Sequence, residues 1–117
     1  MLRNMLKSKI HGATVTQTEL YYTGSITLPA DLMVAADLLA GEQVDVVNLN
    51  NGNRITTYVI EGPADGGTIC LNGPAARMAT VGDMVHVIGY GLFEDAEARE
   101  LKPAIVHVDE SNHIQER

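Results

Sequence analysis

Side chains able to take part in catalysis occur in four short segments of the 117-residue sequence. The segments are Lys9 to His11, Tyr21 to Ser25, Arg54 to Tyr58, and Asn72 to Ala75. A guanidinium such as that of Arg54 can bind a carboxylate through two hydrogen bonds, and a phenol such as that of Tyr58 can donate a proton. The pair Gly24-Ser25 adds a hydroxyl, although a Gly-Ser pair alone indicates only a turn. Together the segments are suited to binding an anion and moving protons.

Other familiar chemistries have no support in the sequence. Its histidines show neither an i, i+4 pair nor a cysteine partner of the kind that binds zinc. They are His11, His86, His107 and His113. No glycine-rich loop of the nucleotide-binding types is present. Cys70 lies between two apolar residues, which predicts a small core residue and not a nucleophile. We therefore expect no metal site.

The composition limits the class of protein. The chain is 45% hydrophobic and 20% charged, which is typical of one soluble globular domain. A net charge of −7 and few aromatic residues argue against nucleic-acid binding. No apolar run approaches the ~20 residues of a membrane span, and no signal peptide is recognisable. The single cysteine fits a reducing compartment, so a cytoplasmic protein is expected.

Short strands separated by turn residues must position the candidate side chains. Strands are predicted over 2–11, 13–17, 26–28, 68–72, 84–90 and 104–108, with Gly12 separating the first two. Residues 43–60 are predicted to form a hairpin around Asn50-Asn51-Gly52-Asn53, because Asn and Gly tolerate positive φ. Helical segments are predicted over 30–40 and 94–101, with a short helix or turn near 75–79, and the tail from 110 to 117 is predicted to fray.

An internal repeat relates two parts of the chain. The segment from Leu39 to Val47 resembles the segment from Thr80 to Ile88: glycine matches glycine, acid matches acid, and the apolar positions coincide. Each copy follows a predicted strand and a short helical segment. Two similar halves in one small domain indicate a pseudo-symmetric closed barrel. The alternative is coincidence, because Gly-acid turns before Val-rich strands are common.

The motifs, in this order and at this spacing, resemble those of the pyruvoyl-dependent aspartate 1-decarboxylases over nearly the whole chain. Met5-Leu6-Lys7-Ser8-Lys9-Ile10-His11 resembles the start of that family, and Tyr22-Thr23-Gly24-Ser25 resembles its self-cleavage site. Asn51-Gly52-Asn53-Arg54 with Thr57-Tyr58, and Asn72-Gly73-Pro74-Ala75-Ala76, resemble its pocket. The resemblance implies a mainly β fold, a small double-psi β-barrel with short helices, and a homotetramer.

The resemblance also implies an activity and a covalent cofactor. Cleavage between Gly24 and Ser25 would divide residues 1–117 into a 1–24 β chain and a 25–117 α chain, with Ser25 converted to a pyruvoyl group. The ketone of that group would form a Schiff base with L-aspartate and act as an electron sink. The products would be β-alanine, for pantothenate synthesis, and CO2.

Roles for individual residues follow from the same resemblance. Ser25 and Tyr58 would be catalytic, with Tyr58 as the proton donor. Substrate binding would fall to Thr57, Gly73, Pro74, Ala75, Arg54 and Lys9. Support for processing would come from His11, Tyr22 and Asn72, and Thr57 would also polarise the Gly24 carbonyl. Gly24 suits this step because, without a Cβ, it can adopt the strained geometry that presents this carbonyl.

Two positions fit the resemblance less simply. Strict alternation puts Thr57 on the opposite strand face from Arg54 and Tyr58, so the strand must twist or bulge, or neighbouring subunits must share the site. We expect shared sites. Pro74 stands where the family often has alanine, and it lacks a backbone N–H.

Two other interpretations stay open. One is a non-catalytic barrel that binds a partner or regulates, and the other is decarboxylation of a closely related amino acid. The sequence does not identify a maturation factor.

Overall fold

Strands account for about half of residues 1–116, which the computed structural model describes. They are β1 (Leu2–Thr14), β2 (Gln17–Glu19), β3 (Ser25–Pro29), β4 (Gln43–Asn48), β5 (Arg54–Gly62), β6 (Cys70–Asn72), β7 (Met84–Glu94), β8 (Ala104–Val108) and β9 (Ile114–Gln115). Two short α-helices are α1 (Ala30–Ala35) and α2 (Asp95–Glu100), and a 3-10 helix covers Gly73–Met78. Among the described residues, none of the helices has the length and apolar character needed to cross a membrane.

The strands form one sheet that closes on itself. Their order is β2-β6-β3-β5-β4-β7-β1-β8-β9. Only two residues separate β1 from β2 along the chain. The first strand of this order, β2, therefore lies next to the seventh, β1, and this closes the sheet. β3 runs parallel to β5 and β2 parallel to β6, whereas β4 pairs antiparallel with both β5 and β7. The result is a closed barrel, with β8 and β9 added outside β1.

The internal repeat is also a repeat of backbone hydrogen bonds. The N–H of Gly41 donates to the carbonyl of Val59 at 2.8 Å, and the N–H of Gly82 donates to the carbonyl of Val15 at 2.8 Å. The two glycines have φ values of +86° and +99°, a region that favours glycine over other residues. The matching glycines of the sequence therefore make the same turn in each half.

The matching acids have equivalent roles as well. The N–H of Leu39 donates to a carboxylate oxygen of Glu42 at 3.0 Å, and the N–H of Thr80 donates to one of Asp83 at 2.9 Å. Each side chain closes the turn that precedes its strand. The pseudo-symmetry predicted from the sequence is therefore present in the fold, and coincidence does not account for the repeat.

The core lies inside the barrel and under α1. Alternate residues of β4 and β7 face inward, and Val46 lies opposite Val87 where these strands pair. Helix α1 covers one end with two buried side chains. The largest fully buried apolar side chains are Ile10, Val15, Ile26, Leu28, Leu32, Val44, Val59, Ile69, Leu71, Val85 and Val87.

The helix predicted over 30–40 is shorter than expected. α1 ends at Ala35, and Asp37 then adopts φ +51°. The N–H of Leu38 bonds to the carbonyl of Met33, and that of Asp37 bonds to the carbonyl of Val34. This is a Schellman ending with aspartate at the left-handed position, where glycine is usual. Gly41 therefore belongs to the repeated turn and does not end the helix.

Two further predictions were wrong. Gly12 does not divide the first strand, because β1 runs through it with φ +82° and a shift in register against β7 between Ile10 and Ala13. Gly12 therefore marks a bulge. The tail does not fray as predicted over its described part, since β9 pairs with β8. Arg117 lies outside the described residues.

Candidate active site

The hydroxyl of Ser25 is buried at the start of β3 and held on both sides. Ser25 is fully buried and lies opposite Asn72 where β3 and β6 pair. Its Oγ donates to the carbonyl of Thr23 at 3.0 Å and accepts from Nδ2 of Asn72 at 3.0 Å. The same amide nitrogen donates to Oγ1 of Thr27 at 3.0 Å. Ser25 is therefore held in one orientation beside the peptide bond that precedes it.

The turn after β6 packs directly on the backbone of Gly24, the residue that precedes Ser25. Gly73 has φ +65°, and a Cβ at this position would lie 2.7 Å from Cα of Gly24 and 2.8 Å from its nitrogen. No L side chain fits such a gap, so Gly73 has to be glycine. Gly24 is different, because its φ is outside the left-handed region and an added Cβ would only touch Cδ of Pro74 at 3.5 Å. Gly24 therefore has no left-handed conformation and no steric contact that would by themselves require glycine at this position.

A cavity of about 350 Å³ lies next to Gly24. It brings together five of the residues singled out in the sequence, from three separate segments. They are Gly24, Thr57, Tyr58, Pro74 and Ala75. The register of β4 with β5 is continuous from Gln43–Tyr58 to Val47–Arg54, so no bulge in β5 accounts for the contact of both Thr57 and Tyr58 with the cavity.

Three lining residues were missed by sequence reasoning: Ile55, Thr56 and Met78. Ile55 and Thr56 lie inside the segment that the sequence identified, so strand continuity was an available signal. Met78 follows Ala75 by three residues on the 3-10 helix. A period of three puts these two side chains on one face, but the sequence predicted no more than a short helix or turn there.

Arg54 points to a different part of the barrel. Its guanidinium donates to Oδ2 of Asp45 at 3.0 Å and to the hydroxyl of Tyr90 at 2.8 Å. The hydrogen bond with Tyr90, followed by that with Asp45, raises the pKa of Arg54. Within the described chain, Arg54 lines a second cavity of about 450 Å³ with Asn4 and Tyr90, and not the cavity beside Gly24.

Lys9 and His11 lie on β1, also outside the cavity beside Gly24 in the part of the chain described. The ring of His11 stacks on that of His86 with centroids 4.1 Å apart, and it lies 5.0 Å from the ring of His107. Burial, then the neighbouring charges of His11 and Lys9, lower the pKa of His86 to about 4. Across residues 1–116, no three His, Cys, Asp or Glu side chains are placed to hold a metal ion.

Asn72 faces a further cavity, on which Tyr22 also borders. This space, of about 460 Å³, is lined by Tyr22, Thr27, Cys70 and Asn72, among others. Tyr22 is largely exposed, and the thiol of Cys70 donates to Oδ1 of Asn72 at 3.2 Å. The sequence singled out Tyr22 and Asn72 but assigned Cys70 only to the core. Cys70 is indeed buried, and it also contacts the group that holds Ser25.

Comparison with known proteins bears on both fold and activity. A family model described as aspartate decarboxylase matches residues 1–115 of the chain. The crystal structure of a rationally designed protein, mkDPBB_sym_86, is similar with a TM-score of 0.50 and 16% sequence identity, over 66% of this chain and 90% of that chain. That neighbour is a double-psi β-barrel, and at this identity it informs the fold alone. The predicted fold class is confirmed.

Proposed function

The chain belongs to the aspartate decarboxylase family and is an aspartate 1-decarboxylase, a carboxy-lyase; we propose that it gains this activity by cutting itself between Gly24 and Ser25. The observation that carries the proposal is the buried Ser25 hydroxyl. It is oriented by Asn72, and the residue before it, Gly24, has its N and Cα in close contact with the Gly73 turn. A serine that only shaped a turn would need neither the burial nor the second partner.

Cleavage begins with attack of Ser25 Oγ on the carbonyl carbon of Gly24. The C–O bond forms, the Gly24–Ser25 C–N bond breaks, and the hydroxyl proton passes to the released nitrogen. In the second step the Cα proton of residue 25 passes to water in the adjoining cavity. Its electron pair forms the Cα–Cβ double bond, and Oγ leaves as part of the Gly24 carboxylate. Hydrolysis of the resulting enamine releases ammonia and leaves a ketone.

Neighbouring groups support this cleavage. Thr57 borders the cavity with Gly24, where its hydroxyl can polarise the Gly24 carbonyl. Asn72 fixes Ser25, and Gly73 lets the backbone approach closely. Tyr22 and His11 are proposed to position water or move protons. His11 does not line the cavity beside Gly24 within the described chain, so we assign its contribution to a neighbouring subunit.

The surroundings of Ser25 also fit the covalent pyruvoyl group. When formed, this group supplies an electron sink for decarboxylation. Thr57 and Ala75 line the space where the substrate would lie, and the N–H groups of Gly73 and Ala75 are the backbone donors of the turn. Pro74 has none, so a hydrogen bond to the substrate must come from its neighbours. Tyr58 Oη donates a proton to the substrate carbon after CO2 leaves.

Counter-charges for L-aspartate complete the proposed site. Arg54 can bind a carboxylate through two hydrogen bonds, and Lys9 supplies a second cation. Neither lines the cavity beside Gly24 within the described chain, so we propose a homotetramer in which neighbouring subunits share each site. The product β-alanine would enter pantothenate synthesis in the cytoplasm.

The test is an intact denaturing mass spectrum of the purified protein. We expect two fragments divided between residues 24 and 25, the larger one reactive toward a carbonyl reagent and without a free N-terminal amine. Ser25→Ala should give a folded, uncleaved chain that does not decarboxylate aspartate. Ser8→Ala is the matched control, because Ser8 is also fully buried but its Oγ has no hydrogen-bond partner among the described residues.

Two results would contradict the proposal. One is cleavage of the Ser25→Ala chain at the same bond. The other is a wild-type chain that stays uncut after prolonged warming with cell extract, which would favour a non-catalytic binding barrel. If the chain is cleaved but acts on a related amino acid and not on aspartate, the proposed self-cleavage stands and only the proposed substrate is replaced.

A further inference from the structure

We propose that Cys70 is a positioning residue for self-cleavage, and that its thiol fixes the Asn72 amide that stabilises the Ser25 oxygen as it leaves. This inference rests on the proposed function, because it concerns the step that makes the pyruvoyl group. It goes further by assigning a role to a residue whose sequence context indicated only packing.

Cys70, Asn72, Ser25 and Thr23 form a hydrogen-bond chain with a single direction. Sγ of Cys70 donates to Oδ1 of Asn72 at 3.2 Å, and Nδ2 of Asn72 donates to Oγ of Ser25 at 3.0 Å. Ser25 then donates to the carbonyl of Thr23 at 3.0 Å. A hydroxyl has one proton, so Ser25 can only accept from Asn72. The donor-to-acceptor direction of the whole series therefore follows from the Thr23 carbonyl, which can only accept.

In this orientation every hydrogen-bonding atom of the Asn72 amide has a partner. Asn72 is only 2% exposed, and its second N–H donates to Oγ1 of Thr27 at 3.0 Å. A flipped amide would place Oδ1 against Ser25 Oγ, two acceptors without a proton between them. The Cys70 donor gives Oδ1 a partner on the opposite side and so favours the observed orientation. Burial, with a smaller contribution from Glu19, raises the pKa of the Cys70 thiol, which keeps it protonated.

This orientation matters most in the elimination step. The Cβ–Oγ bond of residue 25 breaks there, and Oγ takes the electron pair as part of the Gly24 carboxylate. Negative charge develops on the atom to which Nδ2 of Asn72 donates, and hydrogen bonds to charged acceptors are the stronger ones. A donor on Oδ1 polarises the amide and strengthens its N–H donation further.

The first step gains orientation of the Ser25 hydroxyl from the same hydrogen bond, but no electronic assistance. A donor on Oγ withdraws electron density from the nucleophile, so Asn72 and Cys70 do not make Oγ more reactive toward Gly24. Loss of the Cys70 donor should therefore slow elimination selectively. The ester between Gly24 and Ser25 would then accumulate, which a general loss of packing would not cause.

The experiment follows cleavage of full-length chains made by cell-free translation, with and without hydroxylamine before denaturing mass spectrometry. Hydroxylamine converts an ester at Ser25 to a hydroxamate of residues 1–24 and a chain with an N-terminal serine. Cys70→Ala and Cys70→Val remove the donor, the second without loss of side-chain volume. Cys70→Ser keeps a donor, and Ile69→Val is the packing control, since Ile69 is fully buried beside Cys70.

We expect Cys70→Ala and Cys70→Val to form the ketone about five- to tenfold more slowly than wild type, with a raised ester fraction. Cys70→Ser and Ile69→Val should match wild type in ester fraction. The role of Cys70 is overturned if the wild-type chain cleaves and both donor-free variants match it, or if they slow cleavage without accumulating ester. An uncut wild-type chain would contradict self-cleavage itself, and with it this inference.

Discussion

Gly73 is the residue at which backbone geometry constrains the site most tightly. Its φ of +65° disfavours any L residue, and a Cβ would lie under 3 Å from three backbone atoms of Tyr22 and Gly24. We expect Gly73→Ala to lower the unfolding free energy by more than about 3 kcal/mol and to stop cleavage, because strain and steric overlap add. Denaturant unfolding, with every variant carrying Ser25→Ala and at one protein concentration, measures the first effect.

Gly52 offers the matched control for this prediction. It has φ +78°, but an added Cβ would meet no atom within 4 Å. Gly52→Ala should therefore cost only the left-handed strain, about 1–2 kcal/mol, and leave cleavage intact. Equal losses for the two variants would show that the approach of Gly73 to Gly24 is not what constrains this turn.

The residues beside Gly24 were predicted from the sequence more completely than the hydrogen bonds that hold them. Gly24, Thr57, Tyr58 and the turn from Gly73 to Ala75 lie together because the β3–β5 and β3–β6 pairings bring three segments to one place. The partner of Ser25 depends on that long-range register. Hydrogen bonds across 47 positions, such as that from Asn72 to Ser25, leave no local pattern in the sequence.

At the scale of elements, the bulge of β1 is tied to β7 by a titratable side chain. The N–H of Gly12 donates to Nδ1 of His86 at 3.0 Å, an acceptor that exists only while this nitrogen is unprotonated. The pKa of His86 is lowered from 6.5 to about 4, first by burial and then by His11 and Lys9. Between these pH values the unfolded chain binds the additional proton.

Stability should therefore fall as the pH falls through this window. The contribution of His86 is fully present above pH 6.5 and is lost progressively down to about pH 4. Its size is on the order of 1–2 kcal/mol, because solvent screens the half-buried ring. His86→Asn keeps an acceptor for Gly12 but does not titrate. Unfolding free energies measured across the window should diverge between wild type and this variant, and parallel curves would contradict the assignment.

Several elements were predictable because a local signal marks them. The hairpin around Gly52 and the repeated turns at Gly41 and Gly82 have such signals, and the structure contains all three. The end of α1 had none, because Asp37 occupies the left-handed position that glycine usually marks. The parallel pairing of β8 with β1 also joins segments about a hundred residues apart, which no periodicity within either strand can reveal.

For the whole molecule, charge makes substrate binding depend on nearby cations. The chain carries a net charge of −7, and L-aspartate brings two carboxylates. Screening over ~8–10 Å limits the repulsion, so a cation in contact with the substrate can dominate. Arg54 is suited to this role but lines a different cavity from Gly24 within the described chain. A site shared between copies resolves this separation, since symmetry would supply Arg54 from a neighbour.

Mixed oligomers test that arrangement directly. A Ser25→Ala chain keeps Arg54 but cannot form the ketone, and an Arg54→Ala chain keeps Ser25 but lacks the cation. If the two residues act across an interface, co-expression in equal amounts restores about one quarter of the sites, since each intact site needs one chain of each kind. Aspartate decarboxylation by the mixture, beside each variant alone, measures this recovery. Suppose instead that the mixture forms the same oligomer as wild type yet stays inactive. That result would show either that Arg54 and Ser25 of each site belong to one subunit or that Arg54 does not bind the substrate.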